Sequence, residues 1–238
     1  MDYTNSTRFV FCYNRVDEIL HSITGLGEGK PFSMCLHEAA KVNATVKRFQ
    51  EELASWARLR NAIVHSAVED KVIAEPHDEV VSEFERVLRL LEHPPKVVDV
   101  IEGKPVVCVN IGDGLERVIK LVSVHNYSNV PVLDNGAIVG LITPKDVVRA
   151  MGEQMSKDAS VDAFLKRNAV RNVSRTAQYR IAGADACVQD VITMFANPKL
   201  RAVILTEDGM RTGRVVAIVT SGDLLALNDA IRNDQKIF

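Results

Sequence analysis

The sequence has few of the residues that usually mark a compartment or a metal site. Its four cysteines, Cys12, Cys35, Cys108 and Cys187, lie far apart, without a C-x-x-C pair or a histidine at ligand spacing. Two disulfides are formally possible, but isolated cysteines in a chain of this size are more often reduced core residues. The sequence therefore predicts no metal site.

A strong charge of either sign is also missing, and so is a long apolar run. The 29 basic and 31 acidic residues give a net charge of −2, so only a local patch could attract a polyanion. The first residues are polar, unlike a secretory signal, and no apolar stretch approaches the ~20 residues of a membrane helix. We expect a cytoplasmic protein that makes no membrane contact.

Proline is scarce until Pro94-Pro95, where the character of the sequence changes. A proline pair cannot continue a helix, which predicts a boundary between a domain at 1–93 and another at 96–238. The first domain has apolar residues at helical spacing. It predicts a helix capped by Ser6 or Thr7 and running to about Ile23, one bent helix or two over 34–68, and a last helix over 78–91. In the last helix the residues expected to face inward are Val80, Phe84, Val87, Leu88 and Leu91.

The second domain contains an internal repeat, over residues 106–151 and 179–227. Each copy predicts strand, helix, strand, turn, strand and helix, with Asp113 or Asp185 as N-cap of its first helix. The tight turns are D-N-G at 134–136 and E-D-G at 207–209, and the second hairpin is about five residues longer. The domain is therefore expected to be a pair of similar α+β units.

The end of each copy carries the residues best suited to a ligand. The strings GLITPKD and AIVTSGD place Thr143 and Asp146, and Thr220 and Asp223, at the same strand-to-helix junction. A carboxylate there can accept hydrogen bonds from the two hydroxyls of a ribose, and a threonine hydroxyl can donate to a phosphate. The alternative is structural, with each threonine as an N-cap and each aspartate as the acid of a capping box.

These strings, together with VPVLDNGAIVGLITPKD, resemble the CBS domain, and the resemblance runs from about Lys96 to the C-terminus. It implies a tandem CBS pair, or Bateman module, with repeats at about 96–155 and 168–232 and clefts for AMP, ADP, ATP or related adenosyl compounds. By position, Asp146 and Asp223 would hold ribose beside Thr143 and Thr220. Asn129 and Arg201 occupy the place that often contacts phosphate, where the arginine suits an anion better than the uncharged asparagine.

Five basic residues lie between the copies and raise the question of a polyanion site. They are Lys166, Arg167, Arg171, Arg175 and Arg180. They could line a polyphosphate or an RNA backbone, but a solvated linker is the simpler interpretation and the one we favour.

The string RLRNAIVH in the first domain brings Arg60, Asn61 and His65 close in sequence. Histidine can accept or donate a proton at neutral pH, arginine can neutralise charge on a phosphate, and Asn61 could orient either group. Five helical positions amount to about 500°, so Arg60 and His65 are about 140° apart on one helix. Two copies across a dimer seam would bring them together, which predicts a homodimer. Alternatively, Arg60 forms a salt bridge or a cap and His65 is a packing residue.

The segment LRNAIVHSAVEDKVIAEPHDEVVSEFERVLRLLEH resembles the C-terminal half of HEPN domains. This resemblance implies a metal-independent endoribonuclease acting as a dimer, with RNA as substrate and Arg60, Asn61 and His65 as catalytic residues. We therefore expect an α+β protein with an N-terminal helical bundle and a CBS pair of two β-α-β-β-α repeats. An adenosine nucleotide would regulate a ribonuclease that has no catalytic cofactor. The alternative is a non-catalytic sensor whose helical domain dimerises or docks a partner.

Overall fold

The computed structural model describes residues 4–27, 29–65, 74–101, 106–155, 165, 169–173, 175 and 177–232. The chain divides into two compact units. The helical unit comprises Met1–Pro95, Cys187–Thr193 and Ala230–Phe238, and the repeat unit comprises Lys96–Ala186 and Met194–Asp229. The architecture is mixed α and β, with the first unit helical and the second built around two small sheets.

The helical unit is organised around aromatic and aliphatic side chains on five helices. The helices are α1 (Asn5–Thr24), α2 (Phe32–Val42), α3 (Ala44–Arg48), α4 (Gln50–His65) and α5 (Asp78–Glu92). Phe84 lies at the centre, with ring centroids 5.0 Å from Phe9 and 4.3 Å from Trp56. Ion pairs Arg8–Glu85 and Arg15–Glu92, at 2.8 and 2.7 Å, join α1 to α5. Burial of apolar side chains, aromatic and aliphatic, supplies most of the driving force, since partly exposed ion pairs contribute little.

Three local predictions for this unit were wrong. The N-cap of α1 is Thr4, whose hydroxyl accepts a hydrogen bond from Thr7 N–H, so Ser6 and Thr7 lie inside the helix. The stretch predicted as one bent helix or two contains three, because the backbone of Asn43 is extended and its side chain caps α3. In α5 the buried residues include Val81 and Leu90, so the inward face is shifted from the predicted Val80 and Leu91.

Two short segments from the second half of the chain complete the helical unit. The guanidinium of Arg48 donates to Gln189 Oε1 at 2.9 Å, and that of Arg86 donates to the carbonyl oxygen of Ile231 at 2.8 Å. Both guanidinium groups also lie over the ring of Phe49, at 5.5 and 5.3 Å from its centroid. Desolvation, more than the nearby arginines, lowers the pKa of Arg48.

The repeat unit begins with a short helix, α6 (Val97–Val100), and its first copy has the predicted order of elements. The elements are β1 (Val109–Asn110), α7 (Leu115–Ser123), β2 (Val130–Asp134), β3 (Ala137–Ile142) and α8 (Pro144–Met155). β1 pairs parallel with β2, and β2 pairs antiparallel with β3. The turn between β2 and β3 has positive φ at Asn135 and Gly136, 48° and 82°, as a two-residue hairpin requires.

The second copy repeats this topology. The elements are β4 (Gln178–Gly183), α9 (Val188–Met194), β5 (Leu200–Thr206), β6 (Val215–Thr220) and α10 (Leu224–Arg232). Most of α9 and the last residues of α10 are the two segments that belong to the helical unit. The sheets pack through Ile138 and Leu141 on β3 and Ala202 and Ile204 on β5. The longer second hairpin has a structural role, because Ile138 N–H donates to the carbonyl oxygen of Arg211 at 2.8 Å. The insertion therefore fastens the second copy to β3 of the first.

The predicted N-caps of α7 and α9 were wrong. The N-cap of α7 is Gly114, one residue after Asp113, and the Asp113 carboxylate instead accepts a hydrogen bond from Asn110 N–H at 2.9 Å. Asp185 lies three positions before Val188, where α9 begins. Neither aspartate occupies the position directly before its helix, where an N-cap side chain acts.

Arg175, one of the five basic residues between the copies, is a structural residue. Its guanidinium donates to the carbonyl oxygens of Val170 and Val173, at 3.0 and 3.3 Å. The side chain crosses the face of Gly140 in β3, where an added methyl group would lie 2.7 Å from its Nε and 2.9 Å from its Cδ. The glycine is thus required by a neighbouring side chain. Arg171 and Arg180 are exposed, and Lys166 and Arg167 lie outside the described residues.

We predict that Gly140→Ala lowers the free energy of unfolding by about 1–2 kcal/mol, because the methyl group displaces Arg175 from its two carbonyl partners. Urea denaturation of the purified protein measures this. Gly152→Ala on α8 is the control, since nothing lies within 4 Å of a methyl group there. In an Arg175→Ala background the cost of Gly140→Ala should shrink. An undiminished cost would mean that Arg175 is not the obstacle.

Candidate functional site

The two strand-to-helix junctions are built in the same way. Thr143 donates to Asp146 Oδ2 from its backbone N–H at 3.0 Å and from its hydroxyl at 2.7 Å. Thr220 donates to Asp223 Oδ2 in the same two ways, at 2.8 and 2.9 Å. Both junctions therefore form the hydrogen bonds of the structural alternative, in which the aspartate closes the start of the helix.

Burial distinguishes the members of each pair. Asp146 is 2% exposed and Asp223 is 7% exposed, while both threonines are half-buried. A carboxylate so deeply buried needs hydrogen-bond donors, and the threonine supplies two of them in each repeat. Asp146 Oδ1 also lies 3.9 Å from a guanidinium nitrogen of Arg149.

A cavity of about 790 Å³ opens beside the first junction. It is bordered by Thr143 and Asp146 from the first repeat, together with Ser128 and Asn129, and by Arg201 from the second. Four of the six predicted ligand-binding residues thus meet at one cavity. Thr220 and Asp223 are not among its lining residues, although Ser221 and Leu224 beside them are. The cavity therefore includes the predicted threonine and aspartate of the first junction but not those of the second.

Several residues that line this cavity were missed by sequence reasoning. Two are cations, Lys145 and Lys199, and another is the aromatic Phe195. Lys145 lies inside the T-P-K-D string, so its position in the motif could have revealed it. Lys199 precedes β5 by one residue, and Phe195 follows α9, where nothing in the local sequence indicates a ligand.

The lining combines polar and apolar side chains. Its polar part can donate hydrogen bonds to an anion, and its apolar part can cover a flat ring. The apolar residues of the lining are Pro144, Ala177, Phe195, Pro198, Leu200 and Leu224. Its described residues include neither histidine nor cysteine. Elsewhere in the described ranges, no group of three or more His, Cys, Asp or Glu side chains is placed to hold a metal ion.

The three residues predicted for RNA cleavage lie on α4. The Arg60 guanidinium is 4.9 Å from the centre of the Tyr13 ring, and its Nη1 donates to Asn61 Oδ1 at 3.4 Å. Arg60 Nε is buried and has no hydrogen-bond partner among the described residues. Burial raises the pKa of Tyr13, and Asp17 raises it further, whereas Arg60 opposes the shift.

His65 is the last residue of α4, and its side chain lies outside the described residues. The structure therefore pairs Arg60 with Asn61 and leaves the relation of either side chain to His65 a prediction. The cavity of about 510 Å³ in the helical unit does not involve them, since its lining comes from α1 and α5. Within that lining, burial raises the pKa of the Cys12 thiol to about 11.

The first repeat matches a known protein family. Residues 97–153 match the CBS domain family. This part of the chain is a CBS domain. The match confirms the resemblance drawn from the VPVLDNGAIVGLITPKD string. No curated protein matches the chain. The resemblance of the helical unit to HEPN domains stays a prediction.

Several solved structures that resemble this chain are of CBS domain proteins. One is the CBS domain of a CBS domain-containing membrane protein from Sphaerobacter thermophilus, at 22% identity and a TM-score of 0.46, covering 61% of this chain and 95% of that one. Another is the CBS domain pair of protein MJ0100 in complex with 5-methylthioadenosine and S-adenosyl-L-methionine. Its sequence identity is 24% and its TM-score 0.43, and the match covers 58% of this chain and 98% of that one. A third is CBSX2 in complex with AMP, at 15% identity and a TM-score of 0.42, covering 58% of this chain and 98% of that one. In the described part of this chain, no helix is both long and apolar enough to cross a membrane.

We predict that Thr143→Val in the CBS domain lowers the free energy of unfolding by about 1 kcal/mol, because Asp146 loses the 2.7 Å hydroxyl hydrogen bond while buried. Thr143→Ser keeps the hydroxyl and should cost less, which thermal unfolding can compare. Thr220→Val should behave alike in the second repeat, given its equivalent bond to Asp223. Equal stability of the valine and serine variants would contradict a structural role for the hydroxyl.

Proposed function

We propose that this protein senses an adenosine-type nucleotide such as AMP, ADP or ATP, through a tandem CBS pair formed by the two repeats. The observation that carries the proposal is the 790 Å³ cavity, to which the CBS domain contributes Thr143 and Asp146 and the second repeat contributes Arg201. A cavity of this size exceeds what a few ordered waters occupy and falls within the range of small-molecule sites.

The lining offers a group for each part of a nucleotide. Asp146 borders the cavity, and a carboxylate has about four acceptor positions, so it can receive ribose hydroxyls while it keeps both hydrogen bonds from Thr143. Arg201 is exposed on β5 and can bind a phosphate with two parallel hydrogen bonds. The ring of Phe195 and the side chain of Leu224 can cover the adenine.

The capping hydrogen bonds support this proposal rather than compete with it. Because Oδ2 of Asp146 is fixed by two donors from Thr143, the carboxylate is held in one orientation before a ligand arrives. A fixed acceptor loses less conformational entropy on binding than a freely rotating one. Under this proposal Thr143 positions Asp146 and need not contact the ligand itself.

Asp146→Asn should weaken ATP binding by about tenfold, because an amide replaces one acceptor oxygen with a donor. Isothermal titration calorimetry on the full chain measures the affinity. Asp223→Asn is a matched control, since Asp223 sits in the same kind of junction but does not line the cavity. Equal losses in both variants would point to a general effect on the fold. Failure of the wild type to bind any adenosine compound would sink the proposal.

A second candidate function concerns the helical unit. Arg60 and Asn61 are hydrogen-bonded side by side on α4, and His65 ends the same helix. We propose that a homodimer juxtaposes these residues as a metal-independent endoribonuclease under nucleotide control. Such control requires the nucleotide to bind two states of the protein with different affinity. The competing proposal is a non-catalytic unit that dimerises or docks a partner, and the contact of Arg60 with Tyr13 favours it, because that contact partly occupies the guanidinium.

If the unit is a ribonuclease, wild type cleaves RNA in EDTA and His65→Ala lowers the rate by about a hundredfold or more, as expected for loss of a general acid or base. Arg60→Ala should also lower it. His37→Ala and Arg58→Ala are controls, since both side chains are exposed in the same unit. Gel analysis of a generic RNA, with and without AMP and ATP, measures cleavage. If the wild type cleaves no RNA under any of these conditions, the ribonuclease proposal is wrong and the non-catalytic sensor is supported.

A further inference from the structure

We propose that the cavity selects a phosphorylated nucleotide over adenosyl compounds without net negative charge, such as adenosine or S-adenosylmethionine, and that Lys145 and Lys199 bind the phosphates together with Arg201. This inference rests on the proposed function and narrows its ligand class. It comes from the grouping of three cations around one cavity, which the sequence alone did not show.

Three cationic side chains border the cavity from three separate places. Lys145 lies in the first turn of α8, Lys199 immediately before β5, and Arg201 within β5. None of them forms an ion pair or a side-chain hydrogen bond with a described residue. Many other cations of the chain do have carboxylate partners: Arg8, Arg15, Lys41, Arg86, Arg117, Lys120 and Arg214. The cationic cluster at the cavity thus lacks the internal neutralisation found elsewhere.

The one acidic residue of the described lining does not neutralise these cations. Asp146 is 2% exposed, its Oδ2 accepts both hydrogen bonds from Thr143, and its Oδ1 lies 3.9 Å from Arg149. Its negative charge is therefore already partly compensated by these neighbouring groups. The opening carries an excess of positive charge, although the whole chain has a net charge of −2. A local field of this sign attracts anions whatever the net charge of the protein.

This field discriminates between classes of adenosyl ligand. A phosphate chain places its negative charge among the three cations and relieves their mutual repulsion, whereas a sulfonium compound brings a further positive charge. Lys145 also supplies a cation on the side of the first repeat, where the residue expected to contact phosphate, Asn129, is uncharged. The Asn129 amide donates to Ser128 Oγ at 3.0 Å, so it is already engaged within its own loop.

The test is calorimetric titration of the full chain with ATP, ADP, AMP, adenosine, S-adenosylmethionine and inorganic tripolyphosphate, at low and high NaCl. We expect ATP to bind at least about tenfold more tightly than S-adenosylmethionine, as the loss of charge-assisted hydrogen bonds predicts. The affinity for ATP should fall as salt rises, because exposed charges are screened, while that for adenosine should change little.

Two variants assign the effect to residues. Lys145→Gln and Lys199→Gln should each weaken ATP binding by about tenfold and leave adenosine binding unchanged. Lys47→Gln is the matched control, since it removes an exposed lysine from α3 in the helical unit. Thermal unfolding of each variant checks that the fold is retained.

The outcomes separate this inference from the proposed function. If S-adenosylmethionine binds as tightly as ATP, or both lysine variants bind ATP like wild type, the inference is wrong and nucleotide sensing stands. Binding of tripolyphosphate without any adenosine compound would support the cationic site and overturn nucleotide sensing. If no compound binds, both are wrong.

Discussion

The repeat unit depends on one interaction that occurs twice, the pair of hydrogen bonds from a threonine to a buried aspartate. In each repeat the threonine lies at the end of the last strand, and the aspartate lies three residues later, where the chain turns into the last helix. The carboxylate ties the end of the strand to the start of the helix, and a charge this deeply buried is tolerated only because it is hydrogen-bonded. The direction of α8 and of α10 follows from this constraint.

The cavity is a consequence of packing two such junctions into one unit. β3 and β5 contact each other through small and branched side chains, including Ile138 and Ala202, and the long second hairpin fastens to Ile138 N–H. The cavity beside this contact is bordered by the first junction, with Asp146, and by the flank of the second, with Ser221. Two nearly identical motifs thus acquire different surroundings, which is why only one of the two aspartates lines the cavity.

The sequence predicted local features well where short-range hydrogen bonds decide them. The D-N-G turn, the order of elements in each copy and the capping geometry at Thr143 and Thr220 all depend on residues within a few positions of each other. The local predictions from sequence were wrong where several neighbouring residues could act as the helix N-cap. Thr4, Ser6 and Thr7 could all serve as N-cap of α1, and the structure has Thr4 in that position. Likewise, the N-cap of α7 is Gly114, and the carboxylate of the preceding Asp113 accepts a hydrogen bond from Asn110 N–H.

By itself, the sequence determined that a helical segment precedes two copies of one α+β topology, because helical periodicity, turn residues and repetition can be read from neighbouring positions. The assignment of residues 97–153 to the CBS domain came from the resemblance of its motif strings to that family. Only the tertiary structure decided which predicted residues share a cavity, that Lys199 and Phe195 join them, and that Arg60 lies over Tyr13. The physical reason is distance along the chain. Asp146 and Arg201 border one cavity only because the two sheets pack against each other through β3 and β5, and no local sequence pattern encodes that packing.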